Sequence, residues 1–250
     1  MNTTLLKHFD FEIPGWGEFS SPPALRIPYE AEALADDPVV YFRLAEASGG
    51  EARDASGHGH HGSYEGTLLY EQAGVVMRHG DGAVKLPGDG GHVSLVSGVV
   101  PVGSSARTIE AWFKVDGSPA GDSFFNCGAA GSGTQVSIDV QATSIAIETG
   151  GHRRGVTGLS LIGWHHLALI FPDDGENSDD WLLYLNAEGV SLTTLSGSTQ
   201  TVQTGDSMVY LGRHLTTSSS WSGWIDEVAI YDTALPRRRL ASHVHLAQPA

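Results

Sequence analysis

The chain has 250 residues, a length that suits one large all-β domain or two small ones. With 32 glycines, 11 prolines and 40% hydrophobic residues it is neither collagen-like nor disordered, and a single cysteine excludes an internal disulfide framework. Fourteen Lys and Arg face 29 Asp and Glu, a formal charge of −15, so nucleic acid and anionic membrane would be repelled.

The opening MNTTLLKHFDFEIPGWGE lacks the apolar run of a signal peptide, and the sequence has no stretch of about 18 apolar residues to span a membrane. The expectation is folding in a cytoplasm, without membrane insertion. Residues 1–37 read as an extended N-terminal arm. Phe9, Phe11 and Ile13 alternate with His8, Asp10 and Glu12, the pattern of a half-buried strand. Pro14, Pro22, Pro23 and Pro28 rule out a long helix or a central strand. Phe9, Phe11, Ile13, Trp16 and Phe19 are the candidate partner-docking residues, because aromatics this dense are costly in a free tail. The arm either packs on its own domain or docks on a partner by strand addition or inserted aromatics.

From Val39 onward, short apolar runs alternate with Gly, Ser, Asp and Thr clusters, the signature of an antiparallel sandwich or barrel over 38–234. In TIEAWFKV, Ile109, Ala111 and Phe113 share one face, and Glu110, Trp112 and Lys114 the other. In WIDEVAIYD, strict alternation puts Trp224, Asp226, Val228 and Ile230 together. Asp226 then needs a partner on an apolar face, and Trp224 belongs to the core. Asn186 to Gly189 reads as a hairpin turn, with Gly189 free to take positive φ. Residues 235–250 hold one short amphipathic helix and a tail. Leu235, Leu240, Val244 and Leu246 line one side of the helix, and Pro236 sits in its first turn.

The order of these motifs resembles the laminin-G-like, concanavalin A-like jelly-roll family of bacterial surface and tailed-phage proteins. The resemblance rests on DPVVYFRLAEASG (37–49), DASGHGHHGSYEG (54–66), GDGAVKLPGDGGHVSL (80–95), TIEAWFKV (108–115), GWHHLALIF (163–171), WLLYLNAEGV (181–190), VYLGR (209–213) and WSGWIDEVAIYDTAL (221–235). It implies an all-β, two-sheet antiparallel jelly-roll sandwich. It also implies one structural Ca²⁺, here on Asp226 of the last strand with Asp54 and the carbonyls of the 54–62 loop. The alternatives are that Asp54 caps a turn and that Asp226 bonds a neighbouring backbone group.

Catalytic relatives of this fold carry two or three acids alternating on one strand. Asp139, Glu148 and the Asp226–Glu227 pair are the only candidates, and none gives two acids on one strand face. No G-x-S-x-G elbow is present, and Cys127 reads as a small buried hydrophobe. His58-Gly59-His60-His61, with His165-His166 far along the chain, invites a transition metal, but polar residues are ordinary in those slots. The acids of 173–180 read as a solvated loop. Glycan binding needs exposed aromatics beside polar groups, and Trp181, Trp221 and Trp224 are available, although no glycan-binding residue can be assigned.

The expected function is therefore a non-enzymatic structural or decoration protein of a virion, on capsid or tail. It would be assembled in the host cytoplasm and attached to other virion proteins through the arm, and it would adhere to cell-surface glycans. The alternative is a bacterial carbohydrate-binding module at the cell surface. A glycoside hydrolase lacks its acid pattern. A homo-oligomer suits a decoration protein, but no residue pattern specifies one.

Overall fold

Short apolar runs separated by glycine-rich turns fold into two antiparallel sheets in a computed structural model, which describes residues 28–76, 81–117, 123–216 and 219–247. Strands are numbered in chain order. The eight-stranded sheet runs β14 (Glu188–Val190), β13 (Leu182–Leu185), β12 (Gly163–Phe171), β7 (Arg107–Val115), β17 (Ser222–Tyr231), β5 (Ala83–Pro87) and β4 (Leu69–Gln72), and β1 (Val40–Phe42) also pairs with β17. The nine-stranded sheet runs β15 (Thr193–Gly197), β11 (His152–Thr157), β10 (Ser144–Glu148), β9 (Gln135–Gln141), β8 (Phe125–Gly128), β16 (Val209–Leu211), β6 (His92–Leu95), β3 (Gly62–Glu65) and β2 (Glu51–Ala52). The expected all-β jelly-roll sandwich is the observed architecture.

The inner faces of the two sheets enclose one core. Ile109, Ala111 and Phe113 of β7 point into it, as their alternation requires, and so do Val136, Ile138 and Val140 of β9. Trp221 fills its centre with no exposed surface. Its ring packs edge-on against Phe124 at 5.1 Å, and its indole N–H donates to the Val140 carbonyl at 2.9 Å.

A second core lies on the outer face of the eight-stranded sheet, under α1 (Tyr29–Leu34) and α2 (Arg237–Ala247). Trp112, Ala168, Ala229 and Tyr231 supply the sheet side; Tyr29, Ala33, Leu240 and Val244 supply the helical side. The C-terminal helix therefore forms as expected. Of the two alternatives for the N-terminal segment, packing on its own domain holds for the stretch from Tyr29. Tyr29 and Ala33 are buried, so this stretch belongs to the folded unit. Phe9, Phe11, Ile13, Trp16 and Phe19 lie outside the described residues.

Strand β17 corrects the simple alternation. Its register against β7 shifts between Asp226 and Ala229, and Glu227 has φ 51°. This is a bulge, which gives the strand one extra residue and moves everything after it to the other face. Ile225, Val228 and Ile230 thus all face the inner core, whereas Ala229 and Tyr231 face the helices. The bulge falls where β17 changes partner, from β5 at Ile225↔Val84 to β1 at Val228↔Phe42.

The hairpin turn also differs from expectation. Asn186 and Ala187 take the positive φ values, 52° and 63°, while Gly189 pairs in β14 opposite Tyr184. A two-residue turn with both φ positive matches the twist of its strands.

Candidate functional site

Beneath the helices lies a buried polar network built on the outer face of β7 and its neighbours. Glu110 is fully buried, accepts the Tyr231 hydroxyl at 2.6 Å, and lies 3.0 Å from His243 of α2 and 3.3 Å from His166 of β12. Burial alone would raise the Glu110 pKa, but the two imidazoles outweigh it and hold the acid well below its usual range. Burial would lower His243, and Glu110 together with Asp36, 3.1 Å away, reverses this and raises it. Trp112 donates its indole N–H to the Tyr29 hydroxyl at 3.2 Å, which ties α1 to the same network.

At the β17 bulge two consecutive acids are buried together. Asp226 accepts the Val75 N–H at 2.8 Å through Oδ2, and its Oδ1 has no hydrogen-bond partner among the described residues. Glu227 accepts the Tyr41 hydroxyl and lies 3.8 Å from Arg43. Arg43 also reaches Asp81 at 2.8 Å and Glu30 at 3.2 Å. Burial, then repulsion from Glu227, pushes Asp226 well above the carboxylate range. Burial raises Glu227 to about 8, with Asp81 adding to the rise while Tyr41 and Arg43 oppose it. Arg43 lines the edge of a surface cleft of about 730 Å³ with Glu46, Glu51, Arg53 and Asp54.

The expected calcium ligands are not brought together by any shared contact. Asp54 Oδ1 accepts the N–H groups of Tyr41 and Ser56, and Oδ2 accepts that of His60, so this carboxylate folds the 54–60 loop. No group of three or more His, Cys, Asp or Glu placed to hold a metal ion occurs among the described residues. Of the 173–180 acids, Asp180 accepts the N–H groups of Glu176 and Asn177, and Asp179 pairs with Arg154 at 3.3 Å. Asp139 and Glu148 share Arg153. Cys127 is buried, and burial pushes its thiol up to about 12, offset in part by Arg107.

The outer face of the sheet, beyond the helices, carries a different surface. Strand register sets Trp164, Lys114, Trp224 and Lys85 side by side across β12, β7, β17 and β5. All four are half-buried. The Lys85 ammonium lies 4.0 Å from the Trp224 ring centre; that of Lys114 lies 4.5 Å from the same ring and 5.9 Å from Trp164. Gln72 accepts the Trp224 indole N–H at 3.4 Å, leaving its amide NH₂ on this surface, where it donates to the Tyr70 carbonyl. The sequence has only three lysines, Lys7, Lys85 and Lys114, so two of them stand in this row. Neither forms an ion pair among the described residues. Of the three tryptophans singled out from sequence, Trp181 and Trp221 are core residues. Trp224, expected in the core, is the one at the surface, because Ile225 takes the inward position beside it. Trp164, Lys85 and Lys114 carried no sequence signal of their own, since only the register aligns them.

Comparison with solved structures returns binding domains of the same fold. The binding domain of botulinum neurotoxin serotype D superposes with a TM-score of 0.60 at 12% identity, over 87% of this chain and 52% of that one. The binding domain of botulinum neurotoxin DC in complex with rat synaptotagmin II gives 0.62 at 13%, over 86% and 52%. The same domain in complex with SialylT gives 0.58 at 12%, over 86% and 52%. The chain thus spans about half the length of these structures, and the likeness shows the fold. No curated protein matches the chain. No helix of the described residues is long and apolar enough to cross a membrane. The Laminin_G_3 model, described as the concanavalin A-like lectin/glucanases superfamily, matches residues 87–241, and the chain belongs to that family.

Proposed function

We propose that this is a non-enzymatic, lectin-like binding domain of a virion decoration protein, on capsid or tail, that holds host-surface glycans against the Trp164–Lys114–Trp224–Lys85 row. The observation that carries the reading is this row itself. Two half-buried indoles lie against two ammonium groups and an amide, the mixture of apolar and polar groups that a sugar site uses. Two lysines that form no ion pair among the described residues, in a chain of charge −15, favour a sugar that bears a carboxylate. The family and the fold neighbours support binding over hydrolysis. Asp139, Glu110 and Asp226 are each engaged, with Arg153, with His243 and with the Val75 N–H respectively.

The attachment half of the proposal rests on the aromatic density of Phe9, Phe11, Ile13, Trp16 and Phe19. The test has two arms. A glycan array probed with the full chain should give signal on carboxylate-bearing glycans, unchanged by a calcium chelator; no signal on any glycan contradicts the adhesion reading. Deleting residues 1–27 should keep the domain folded and stop it joining particles. A truncated chain that assembles normally removes the docking role of those five residues.

A further inference from the structure

The Trp–Lys row has an order as well as a composition. Directly opposed residues on adjacent strands share a face, and this extends the row by one member. Leu69 of β4 stands opposite Lys85 and is 45% exposed. Across β12, β7, β17, β5 and β4 the side chains are therefore Trp164, Lys114, Trp224, Lys85 and Leu69. Apolar and cationic groups alternate strand by strand. Adjacent strands lie about 4.8 Å apart, so the two lysines stand about 10 Å apart at the backbone and the row spans about 19 Å. Trp224 stands between the lysines, with the Lys85 and Lys114 ammonium groups 4.0 and 4.5 Å from its ring centre. One charge reaches the ring from the β5 side and one from the β7 side. The row is open at both ends. Strand β13 pairs with β12 only over Leu167 to Ile170, which leaves Trp164 without a β13 partner, and β4 is the edge strand of this sheet.

We propose that the row binds an internal stretch of a linear acidic polysaccharide in which a carboxylate-bearing sugar alternates with a neutral one. The inference rests on the reading of the row as a glycan surface and adds the repeat of the ligand. An extended pyranose chain advances by about one strand spacing per ring, so a chain lying across the strands sets successive sugars on successive positions of the row. Neutral rings then fall on Trp164, Trp224 and Leu69, and acidic rings on Lys114 and Lys85. The open ends let the chain continue past both. A terminal acid brings one charge and meets one lysine, leaving the other unused. A polymer with an acid on every sugar sets further carboxylates against Leu69 and the indoles, where they have no cation of their own. The alternating chain gives each lysine one carboxylate.

The test is calorimetric titration of the full chain with five probes. Two are alternating hexasaccharides, glucuronate with N-acetylglucosamine and glucuronate with N-acetylgalactosamine. The others are hexagalacturonate, acidic on every sugar, chitohexaose, neutral throughout, and sialyllactose, with one terminal acid. At least one alternating hexasaccharide should bind about 10-fold or more tightly than each of the other three, the gain of one charge-assisted contact. Lys85→Ala and Lys114→Ala should each weaken that hexasaccharide by about 10-fold, because each lysine holds its own carboxylate. Sialyllactose, hexagalacturonate or chitohexaose binding as tightly as both alternating chains overturns the repeat, and so do single variants that bind them like the wild type. If sialyllactose binds as tightly and Lys85→Ala/Lys114→Ala abolishes its binding, the glycan surface stands and only the repeat falls. No binding of any probe removes both.

Discussion

The imidazole of His243 on α2 lies 3.0 Å from the carboxylate of Glu110 on β7, and both side chains are fully buried. This pair fixes the C-terminal helix to the sheet. Removing one partner strands the other in a low-dielectric site, so His243→Ala should cost about 3–5 kcal/mol. Glu110, held below its usual 4.5, contributes stability above that value and loses it only as pH falls through its lowered folded pKa. His243, held above 6.5, contributes fully below 6.5, and that contribution fades as pH rises through its raised folded pKa. Urea unfolding should therefore show a larger cost for His243→Ala at pH 6 than at pH 9. An equal cost at both would mean the pair is not ionised.

The bulge acids have the opposite character. Glu227 titrates near 8 in the fold against 4.5 for a free side chain, so the folded state favours its protonated form. Stability from this group is present below 4.5 and is lost as pH rises towards 8. Glu227→Gln removes the titration. The variant should be flatter between pH 5 and 8.5 and more stable than the wild type, by about 1 kcal/mol or more, at the upper end. A variant less stable than the wild type at pH 8.5 contradicts this.

Gly74 shields Asp226. A Cβ there would stand 2.7 Å from Asp226 Oδ2, the oxygen that accepts the Val75 N–H. Gly74→Ala should displace that carboxylate and lose its hydrogen bond, costing about 1–3 kcal/mol in a melting or denaturant experiment. Trp221→Ala, by contrast, opens the main core and should cost about 3–5 kcal/mol.

Tyr29 marks where the folded unit begins. It is buried against Trp112 and the ring of His243. Deleting residues 1–35 should lower Tm well below that of a chain lacking 1–27, by an amount close to that of Tyr29→Ala, about 3–5 kcal/mol. Equal melting of the two truncations would place Tyr29 outside the cooperative unit.

Much of the fold was legible because alternation is a local signal: Ile109, Ala111 and Phe113 face inward as their spacing requires. The bulge was not, because nothing in WIDEVAIYD marks Glu227 as the extra residue. That one residue reverses the faces of Val228 to Tyr231 relative to Ile225, so alternation counted back from Val228 and Ile230 put Trp224 in the core. Glu110 and His243 lie 133 residues apart, and Lys85 and Trp224 meet only through strand register. Such sites are products of topology and leave no spacing pattern. The Asp54 turn cap could be read from sequence as one of two alternatives, and Asp54 does accept three N–H groups around its loop.

The central claim is that the Trp–Lys row is the glycan surface. It is tested most directly by measuring the affinity of the full chain for the strongest carboxylate-bearing glycan on the array, with and without Lys85→Ala/Lys114→Ala. Both lysines are half-exposed and free of ion pairs among the described residues, so the double variant should melt like the wild type. The account predicts that it binds about 10-fold more weakly or worse, the loss expected when charge-assisted hydrogen bonds of about 1.5–3 kcal/mol are removed. Unchanged affinity in a folded double variant would contradict it.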